Sequence, residues 1–190
     1  IEPRRLGWSL PGFLNGDNRR QRIHMDSGNM DSGNAVSWFV DRHLSEGDGE
    51  RLAFRDPWRS LTYRDLVAES SRFADALRRA GVERERRVVL LLQDTIDFPI
   101  AFWGTMRAGA VPVPINTLLT AETVGYILAD CRAAAVVVST TLLETLGATL
   151  RAAGVARVIL SRPDGSAPEE HGFPAFLASG DPGTPTASAS

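Results

Sequence analysis

The sequence predicts an α/β fold, a doubly wound three-layer sandwich built on a mainly parallel sheet. From Thr62 to Leu160, segments of helical periodicity alternate with short apolar runs, and the helix–strand unit occurs four times. Two of those runs, RVVLLL at 87–92 and AAVVV at 134–138, are almost continuously apolar. Such runs are typical of parallel strands, which are covered on both faces. Because crossover connections are right-handed, we expect helices on both faces of the sheet.

A helix and a β-hairpin are predicted ahead of this alternating region. Asn34 is a good helix N-cap, and Gly47 marks the end of the helix. Between them lies an apolar stripe at helical spacing, formed by Val36, Phe39, Val40 and Leu44. Residues 51–55 (RLAFR) predict a short strand, residues 56–57 a turn and residues 60–63 the returning strand.

The first helix of the alternating region begins with a capping signal. Thr62 is the predicted N-cap, and Asp65 stands where a capping box places an acidic residue. Gly81 is expected at the C′ position, where a left-handed backbone ends a helix. The predicted inward face consists of Leu66, Ser70, Phe73, Leu77 and Ala80.

The second helix of the region follows the first buried strand. Asp94 or Asp97 is its predicted N-cap, Pro99 is tolerated in its first turn, and Gly109 ends it. Its large side chains are Phe98, Phe102, Trp103 and Met106. This helix is apolar almost all round, so we expect it to be buried. The next strand, at 110–115, contains two prolines that each remove a hydrogen-bond donor, so we expect either an edge position or a short, irregular strand.

Two further helix–strand pairs complete the pattern. Thr120 is predicted to cap the first of these helices, and Thr140 or Thr141 the second, which ends at Gly154. The inner face of the first consists of Val124, Ile127, Leu128 and Cys131, and that of the second of Leu143, Leu146, Leu150 and Ala153. Residues 156–160 form the last clear strand.

The chain divides into three predicted segments. Residues 1–33 form an arginine-rich extension without sustained periodicity, which contains the pentad MDSGN twice and is expected to be unstructured. Residues 34–178 form the ordered domain, whose last apolar residues, Phe173, Phe176 and Leu177, predict one docked turn. Residues 179–190 (SGDPGTPTASAS) have too little apolar surface to pack and are expected to form a disordered tail.

The composition excludes several classes of protein. A net charge of −2 gives no basis for binding nucleic acid or a membrane surface, and no apolar run approaches the ~20 residues of a membrane span. All 21 basic residues are arginine, and the absence of lysine excludes a Walker A loop. Cys131 is the single cysteine, so no internal disulfide forms. We expect a cytoplasmic protein that binds neither nucleic acid nor a membrane.

Few side chains stand out as candidate functional groups. Asn116 follows a predicted strand, on the side where doubly wound sheets bind ligands, but we expect it to form a turn. His43 is predicted to be solvated on a polar helix face, whereas Cys131, Phe102 and Trp103 are predicted to be core residues. The remaining candidates lie in segments without predicted structure: His24, Gly28, Gly33 and His171. We therefore assign no catalytic, cofactor-binding or metal-binding residue.

Several motifs carry a resemblance to a known family. Residues 61–66 (LTYRDL) resemble the first core motif of adenylate-forming enzymes, Leu-Thr-Tyr-x-Glu-Leu, with Asp65 in place of glutamate. Residues 108–116 (AGAVPVPIN) resemble their second core segment. Three segments resemble benzoate-CoA ligases in particular: 34–47 (NAVSWFVDRHLSEG), 94–104 (DTIDFPIAFWG) and 116–120 (NTLLT). The resemblance, to the N-terminal subdomain of these AMP-forming acyl-CoA ligases, extends over about 34–177.

The resemblance implies a two-step reaction of the intact enzyme. A small aromatic carboxylate attacks the α-phosphate of MgATP, giving an acyl-adenylate and pyrophosphate, and the thiol of coenzyme A then displaces AMP. The implied cofactors are ATP, Mg²⁺ and CoA.

The same resemblance predicts that the 190 residues are an incomplete member of the family. In that family, a Ser/Thr/Gly-rich loop ending in lysine, an adenine- and ribose-binding region and a lysine on a mobile C-terminal domain stabilise the reacting anions. None of these segments is recognisable in this sequence. We expect the fragment to bind none of the three cofactors, to form no acyl-adenylate, and to self-associate through surface that a second subdomain covers in the family. The alternative is a non-catalytic scaffold or interaction module derived from this family.

Overall fold

The computed structural model describes residues 34–162 and 172–187. The predictions for residues 1–33, for His171 and for the last three residues lie outside this part of the chain. The helices are a π-helical segment (Ser37–Asp41), α1 (Arg42–Ser45), α2 (Tyr63–Arg79), α3 (Asp97–Arg107), α4 (Ala121–Asp130), a 3₁₀ turn (Thr140–Leu142), α5 (Leu143–Ala152) and α6 (Phe173–Ala178). The strands are β1 (Leu52–Arg55), β2 (Ser60–Thr62), β3 (Arg87–Leu91), β4 (Val111–Pro114), β5 (Ala135–Ser139) and β6 (Val158–Ser161). None of the helices in the described ranges has the length and apolar character that a membrane crossing requires.

One parallel sheet forms the centre of the fold. Its strand order is β4-β3-β5-β6, while β1 and β2 pair antiparallel as a separate hairpin. In register, Val89 of β3 lies between Val113 of β4 and Val136 of β5. Helices pack on both sides of this sheet. The predicted doubly wound three-layer sandwich is confirmed.

The central strands bury both of their faces, as their apolar runs predict. In β3, Val88 and Leu90 belong to a core that includes residues of α2, α3 and α6, whereas Val89 and Leu91 belong to a second core with residues of α4 and α5. All four side chains are fully buried. Successive residues of a strand point to opposite faces, so a strand between two helical layers is apolar at every position.

Strand β4 lies at the edge of the sheet, as its prolines predict. The backbone N–H groups of Val111 and Ile115 donate to carbonyl groups in and next to β3. Pro112 and Pro114 alternate with these donors, so their nitrogen atoms face the open side of the strand. No ladder hydrogen bond is lost there, which explains how two prolines fit in one strand.

The first helix is oriented differently from the prediction. Val36, Val40 and His43 are its buried residues, whereas Phe39, which we expected on the inner stripe, is 56% exposed. His43, which we expected to be solvated, is only 7% exposed. Val36, Val40 and His43 share the buried face, and Phe39 lies outside it. Both predictions are wrong because polarity alone placed Phe39 inside and His43 outside, and because the π-helical segment Ser37–Asp41 departs from the regular α-helical period.

The capping box of α2 is confirmed. The Thr62 hydroxyl accepts a hydrogen bond from the Asp65 backbone N–H at 3.1 Å, and the Asp65 carboxylate accepts one from the Thr62 backbone N–H at 3.1 Å. At the other end, Gly81 has a φ of +82°, as a C′ residue requires. Local sequence therefore decides both ends of this helix.

The predicted caps of α3 and α5 are wrong. Neither Asp94 nor Asp97 caps α3; its start is fixed by the carboxylate of Asp56, which accepts from the Ile96 N–H at 3.0 Å. Neither Thr140 nor Thr141 caps α5 with its side chain. The 3₁₀ turn precedes the helix, and its backbone N–H and carbonyl groups hydrogen-bond to each other instead. Ala153, expected to face inward from α5, is exposed. Thr120 does cap α4, as predicted.

The C-terminal residues pack on α2 and α3. The ring centroids of Phe173 and Phe176 lie 5.5 and 5.3 Å from that of Phe73, so the predicted docked turn is confirmed. Residues 186 and 187 of the C-terminal segment contact the end of α3. The Thr186 hydroxyl accepts a hydrogen bond from the Arg107 guanidinium, and the backbone N–H of Ala187 donates to the Arg107 carbonyl at 2.9 Å.

Candidate functional site at the carboxyl edge of the sheet

Polar side chains gather where the parallel strands end. In doubly wound sheets this edge is the usual place for a ligand. The last residue of β5, Ser139, accepts a hydrogen bond at its hydroxyl from the backbone N–H of Gln93, at 3.0 Å. The last residue of β6, Ser161, donates its hydroxyl hydrogen to the Asp97 carboxylate at 2.8 Å. Both serines are fully buried.

Arg59 joins two carboxylates at this edge. It comes from the turn between β1 and β2, and its guanidinium donates to both carboxylate oxygens of Glu69 at 3.0 and 3.1 Å. The same guanidinium donates to Asp97 at 3.4 Å. One cation therefore ties the hairpin to α2 and to the first residue of α3.

Burial dominates the protonation of the two acids. It raises the pKa of Asp97 above its ordinary value, although the Ser161 hydroxyl and the Arg59 charge act in the opposite direction. Burial likewise raises the pKa of Glu69, against the charge and hydrogen bond of Arg59. The charged form of each acid is disfavoured because one shared guanidinium does not replace the lost water.

A third acid, Asp56, holds the loop around the cluster. Its carboxylate accepts hydrogen bonds from the backbone N–H groups of Ile96, Trp58 and Arg59, at 2.8 to 3.0 Å. Burial alone would raise the pKa of Asp56, but these three donors, with the Arg59 charge, hold it below its ordinary value. Asp56 is therefore ionised and structural, as its contacts to backbone groups indicate.

A shallow cavity lies beside this cluster. It measures about 240 Å³ and is lined by residues of β1 and of the α3 start, among them Phe54, Arg55, Thr95 and Phe98. The buried Thr95 hydroxyl has no hydrogen-bond partner. Ligand pockets usually measure ~300–1,000 Å³, and this cavity lies below that range.

The charges of the cluster oppose phosphate binding. Asp56, Glu69 and Asp97 set three carboxyl groups against the single guanidinium of Arg59. Binding of an anionic phosphate needs an excess of cations or N–H donors. The arrangement can lock the hairpin, α2, α3 and β6 together.

The residues singled out from the sequence do not join this cluster. Asn116 lies at the end of β4, where its side-chain oxygen accepts from the Leu118 N–H at 2.8 Å, so the expected turn is confirmed. Cys131 packs at the end of α4, where burial raises the pKa of its thiol. A raised pKa keeps a thiol protonated and weakly nucleophilic, which fits a packing residue.

Phe102 and Trp103 form part of a row of aromatic rings on α3. Their centroids lie 5.1 Å apart, and Trp103 in turn lies 6.2 Å from Phe39 of the first helix. Both pack against the larger core but stay partly exposed, so the prediction that they are core residues is confirmed only in part.

The sequence did not reveal the ion-pair cluster. Glu69 lies 10 residues after Arg59 and Asp97 lies 38 residues after it, so no local spacing connects the three. One signal was present: two acids, Asp94 and Asp97, follow a buried strand directly. Their spacing predicts helix caps, but the carboxyl end of a parallel strand also favours tertiary polar contacts.

Comparison with known proteins gives a consistent result. The family model for AMP-binding enzymes matches residues 41–185. A 4-hydroxybenzoate–CoA/benzoate–CoA ligase of Rhodopseudomonas palustris is 44% identical over 135 residues, which are 71% of this chain and 25% of that protein. A benzoate–CoA ligase of Thauera aromatica is 39% identical over 111 residues, 58% of this chain and 21% of that protein.

A solved structure agrees with these relatives. The benzoate CoA ligase of Burkholderia xenovorans LB400 superposes with a TM-score of 0.73 at 34% identity, over 83% of this chain and 30% of that one. The chain thus spans about a quarter of the length of the curated relatives it matches.

Proposed function

Because this chain belongs to the AMP-binding enzyme family, we propose that it is the N-terminal part of an ATP-dependent, AMP-forming aromatic acid–CoA ligase. The observation that carries the proposal is the 44% identity to a 4-hydroxybenzoate–CoA/benzoate–CoA ligase over 71% of the chain. The similarity of the fold to a benzoate CoA ligase supports the same substrate class, a small aromatic carboxylate.

The proposed reaction of the intact enzyme has two steps. A carboxylate oxygen attacks the α-phosphorus of ATP, the bond to the β-phosphate oxygen breaks, and pyrophosphate leaves. The thiolate of CoA then attacks the carbonyl carbon of the acyl-adenylate, AMP leaves, and a thioester results. Both steps build negative charge that cations and N–H donors must stabilise.

In this proposal, the described residues form part of the fold of the intact enzyme and supply no reacting group. The cluster of Arg59, Glu69 and Asp97 fixes the carboxyl edge of the sheet, and its acidic balance does not suit a triphosphate. The chain contains no lysine, the residue that such enzymes place on the phosphates. We therefore propose that MgATP and CoA are held by other parts of the intact enzyme, and that the 190 residues alone are inactive.

A segment exchange tests the proposal. Residues 34–187 of this chain would replace the matching segment of the R. palustris ligase, and benzoate-dependent ATP–pyrophosphate exchange and benzoyl-CoA formation would be measured. We expect a folded chimera whose kcat/KM lies within about tenfold of the parent, a loss of ~1.4 kcal/mol in transition-state stabilisation. Circular dichroism and gel filtration would verify folding. A folded chimera with no exchange would contradict the proposal.

The isolated chain supplies the complementary test. Benzoate-dependent ATP–pyrophosphate exchange by the purified 190 residues would overturn the proposed inactivity. Sequencing the gene beyond codon 190 in all frames identifies the source of the missing groups. We expect a Ser/Thr/Gly-rich segment ending in lysine; its absence from every frame would favour a non-catalytic scaffold.

A further inference from the structure

Three metal-ligand side chains meet at the end of α1. His43, Glu46 and Asp48 each present one ligand atom, and the three atoms lie within 4.8 Å of one another. Within residues 34–162 and 172–187 this is the one such group of three. The sequence indicated no metal site here, because one histidine and two acids at this spacing match no familiar ligand motif.

The backbone brings His43 and Asp48 together by a defined turn. Gly47 has a φ of +86°, its N–H donates to the Leu44 carbonyl, and the Asp48 N–H donates to the His43 carbonyl at 2.8 Å. This hydrogen-bond pattern is a Schellman motif, in which the C3 and C″ side chains come into contact. That contact is usually apolar; here its two positions hold an imidazole and a carboxylate.

The imidazole nitrogen of His43 that faces the group has no partner. Its side chain is 9% exposed, and Nδ1 is buried without a hydrogen bond. The nearest acidic oxygen, on Asp48, lies 3.9 Å away, too far for a hydrogen bond. The ring is held in place by Tyr63, whose centroid lies 3.8 Å from that of His43. A buried nitrogen without a partner carries a desolvation penalty that a bound cation would remove.

The size and donor set of the group fit a zinc ion. Zinc binds histidine nitrogen and carboxylate oxygen at about 2.0–2.2 Å, so tetrahedral ligands lie roughly 3.4 Å apart. The His43 Nδ1 and Asp48 carboxylate lie 3.9 Å apart, and the three ligand atoms lie within 4.8 Å of one another, so the two acidic side chains must rotate to close the site. The side chains of Glu46 and Asp48 are half-exposed, at 53% and 42%, which leaves room for this rotation. Mg²⁺ and Ca²⁺ prefer all-oxygen sites.

Two arginines contact the acidic ligands, and Arg51 makes the closer contact. A guanidinium nitrogen of Arg51 lies 3.0 Å from the Asp48 carboxylate. Arg42 lies at 4.0 Å from Glu46, a weak contact. A carboxylate has lone pairs for more than one partner, so Asp48 can accept from Arg51 and bind a metal together. Neutralising Arg51 would still favour the metal, because it removes a positive charge next to it.

We propose that His43, Glu46 and Asp48 form a zinc site with three protein ligands, in which water completes the coordination. The site joins the end of α1 to the turn before β1 and stabilises this part of the fold. It is independent of the proposed ligase activity.

Zinc titration of the metal-free 190-residue chain tests the proposal, with competition by a chromogenic chelator and the spectrum of the cobalt-substituted protein as readouts. We expect one tightly bound ion and a rise in the midpoint of thermal unfolding. Asp48→Asn and Glu46→Gln, both at exposed positions, are each expected to weaken binding at least about tenfold. Arg51→Gln is expected to strengthen it.

Two control variants separate this site from adventitious binding. Glu50→Gln alters an exposed acid in the same turn that pairs with Arg64 instead, and is expected to leave the affinity unchanged. His24→Gln combined with His171→Gln removes the remaining histidines and is also expected to have no effect. Unchanged affinity in Asp48→Asn, loss of binding in the His24/His171 variant, or no measurable zinc binding would each overturn the proposal.

Discussion

Ser161 donates its hydroxyl hydrogen to the carboxylate of Asp97 over 2.8 Å, and so joins the last residue of β6 to the first residue of α3. These two residues lie at the carboxyl edge of the sheet, 64 positions apart in sequence. Ser161 is fully buried, and the Asp97 side chain is 17% exposed. The hydrogen bond therefore lies in a region where water can replace it only in part.

Replacing Ser161 by alanine is expected to destabilise the chain by about 1–3 kcal/mol, because a buried acceptor loses its donor. Urea denaturation would measure the loss. Ser45→Ala is the matched control: its exposed hydroxyl also donates one hydrogen bond, to the Arg42 carbonyl, and its loss is expected to cost no more than about 0.5 kcal/mol. Equal losses in the two variants would contradict a structural role for the Ser161–Asp97 contact.

The stability contributed by Asp97 is expected to fall as the pH rises. Burial raises its pKa above the ordinary value of 3.8, so the native chain keeps this proton at pH values where the unfolded chain has lost it. Stability then declines as the pH rises from 3.8 through the raised pKa. Asparagine does not titrate, so Asp97→Asn should gain stability relative to the wild type as the pH rises from 3.8 through the raised pKa of Asp97. Denaturation at several pH values measures this difference.

Asp75 provides a control of opposite sign. The backbone N–H of Asp181 is the main cause that lowers the pKa of Asp75 below its ordinary value of 3.8, and Arg79 adds to this. Its stabilising contribution is complete above pH 3.8 and is lost as the pH falls through the lowered pKa. Between about pH 4 and pH 7, Asp75→Asn should therefore show a constant difference from the wild type. If the stability difference from the wild type changed with pH in the same way for both variants, a global charge effect would be indicated instead.

The sequence predicted those features that neighbouring residues decide. Thr62 and Asp65 cap α2 from three residues apart, and Gly81 ends the same helix because only glycine adopts its backbone freely. The prolines of β4 likewise predicted its edge position from their own chemistry. In each case the interactions that decide the local structure lie within one turn or one strand.

The predictions failed where the deciding partner is distant in sequence. The N–H of Ile96, the residue before α3, donates to Asp56, 40 residues earlier, whereas neither of the local acids Asp94 and Asp97 caps the helix. Thr186 contacts Asp41 across 145 residues, which a polar and proline-rich tail does not reveal. Such contacts follow from the packed fold, and the fold must be known before they can be placed.

Alanine at Gly104 is expected to destabilise the chain although alanine favours helices. A β-carbon there would lie 2.8 Å from Phe73 side-chain atoms and 2.9 Å from the Ser70 carbonyl oxygen, so α2 and α3 would have to separate. We expect a loss of about 1–3 kcal/mol by overpacking. Gly147→Ala in α5 is the control, since its β-carbon would meet only the flexible end of Arg151, at 3.5 Å. That variant should gain up to about 1 kcal/mol.

The isolated chain is expected to self-associate through the exposed aromatic residues of its first helix. Trp38 and Phe39 lie on the first helix and are 47% and 56% exposed. Light scattering should show mass increasing with concentration, and Phe39→Gln should reduce it. Tyr126→Gln, on α4 over the other face of the sheet, should have little effect. A monodisperse monomer at high concentration would contradict this prediction and favour the alternative of a non-catalytic scaffold.

The ion pair between Asp41 and Arg107 is expected to be the most costly to break. The Arg107 side chain is 4% exposed, and Asp41 is its carboxylate partner, with Thr186 and Ser70 as further contacts. Asp41→Ala would leave a buried cation without a counter-charge, at a cost of about 3–5 kcal/mol.

Removal of both charges discriminates this explanation from a simple loss of packing. If the uncompensated guanidinium causes the loss, Asp41→Leu combined with Arg107→Met should be more stable than Asp41→Ala alone, because no charge is then left buried. The exposed pair of Glu50 and Arg64 sets the scale for an ordinary surface contact, and Glu50→Ala should cost no more than about 1 kcal/mol. Denaturation of the three variants decides the matter. A double variant no more stable than Asp41→Ala would show that shape rather than charge holds the first helix against α3.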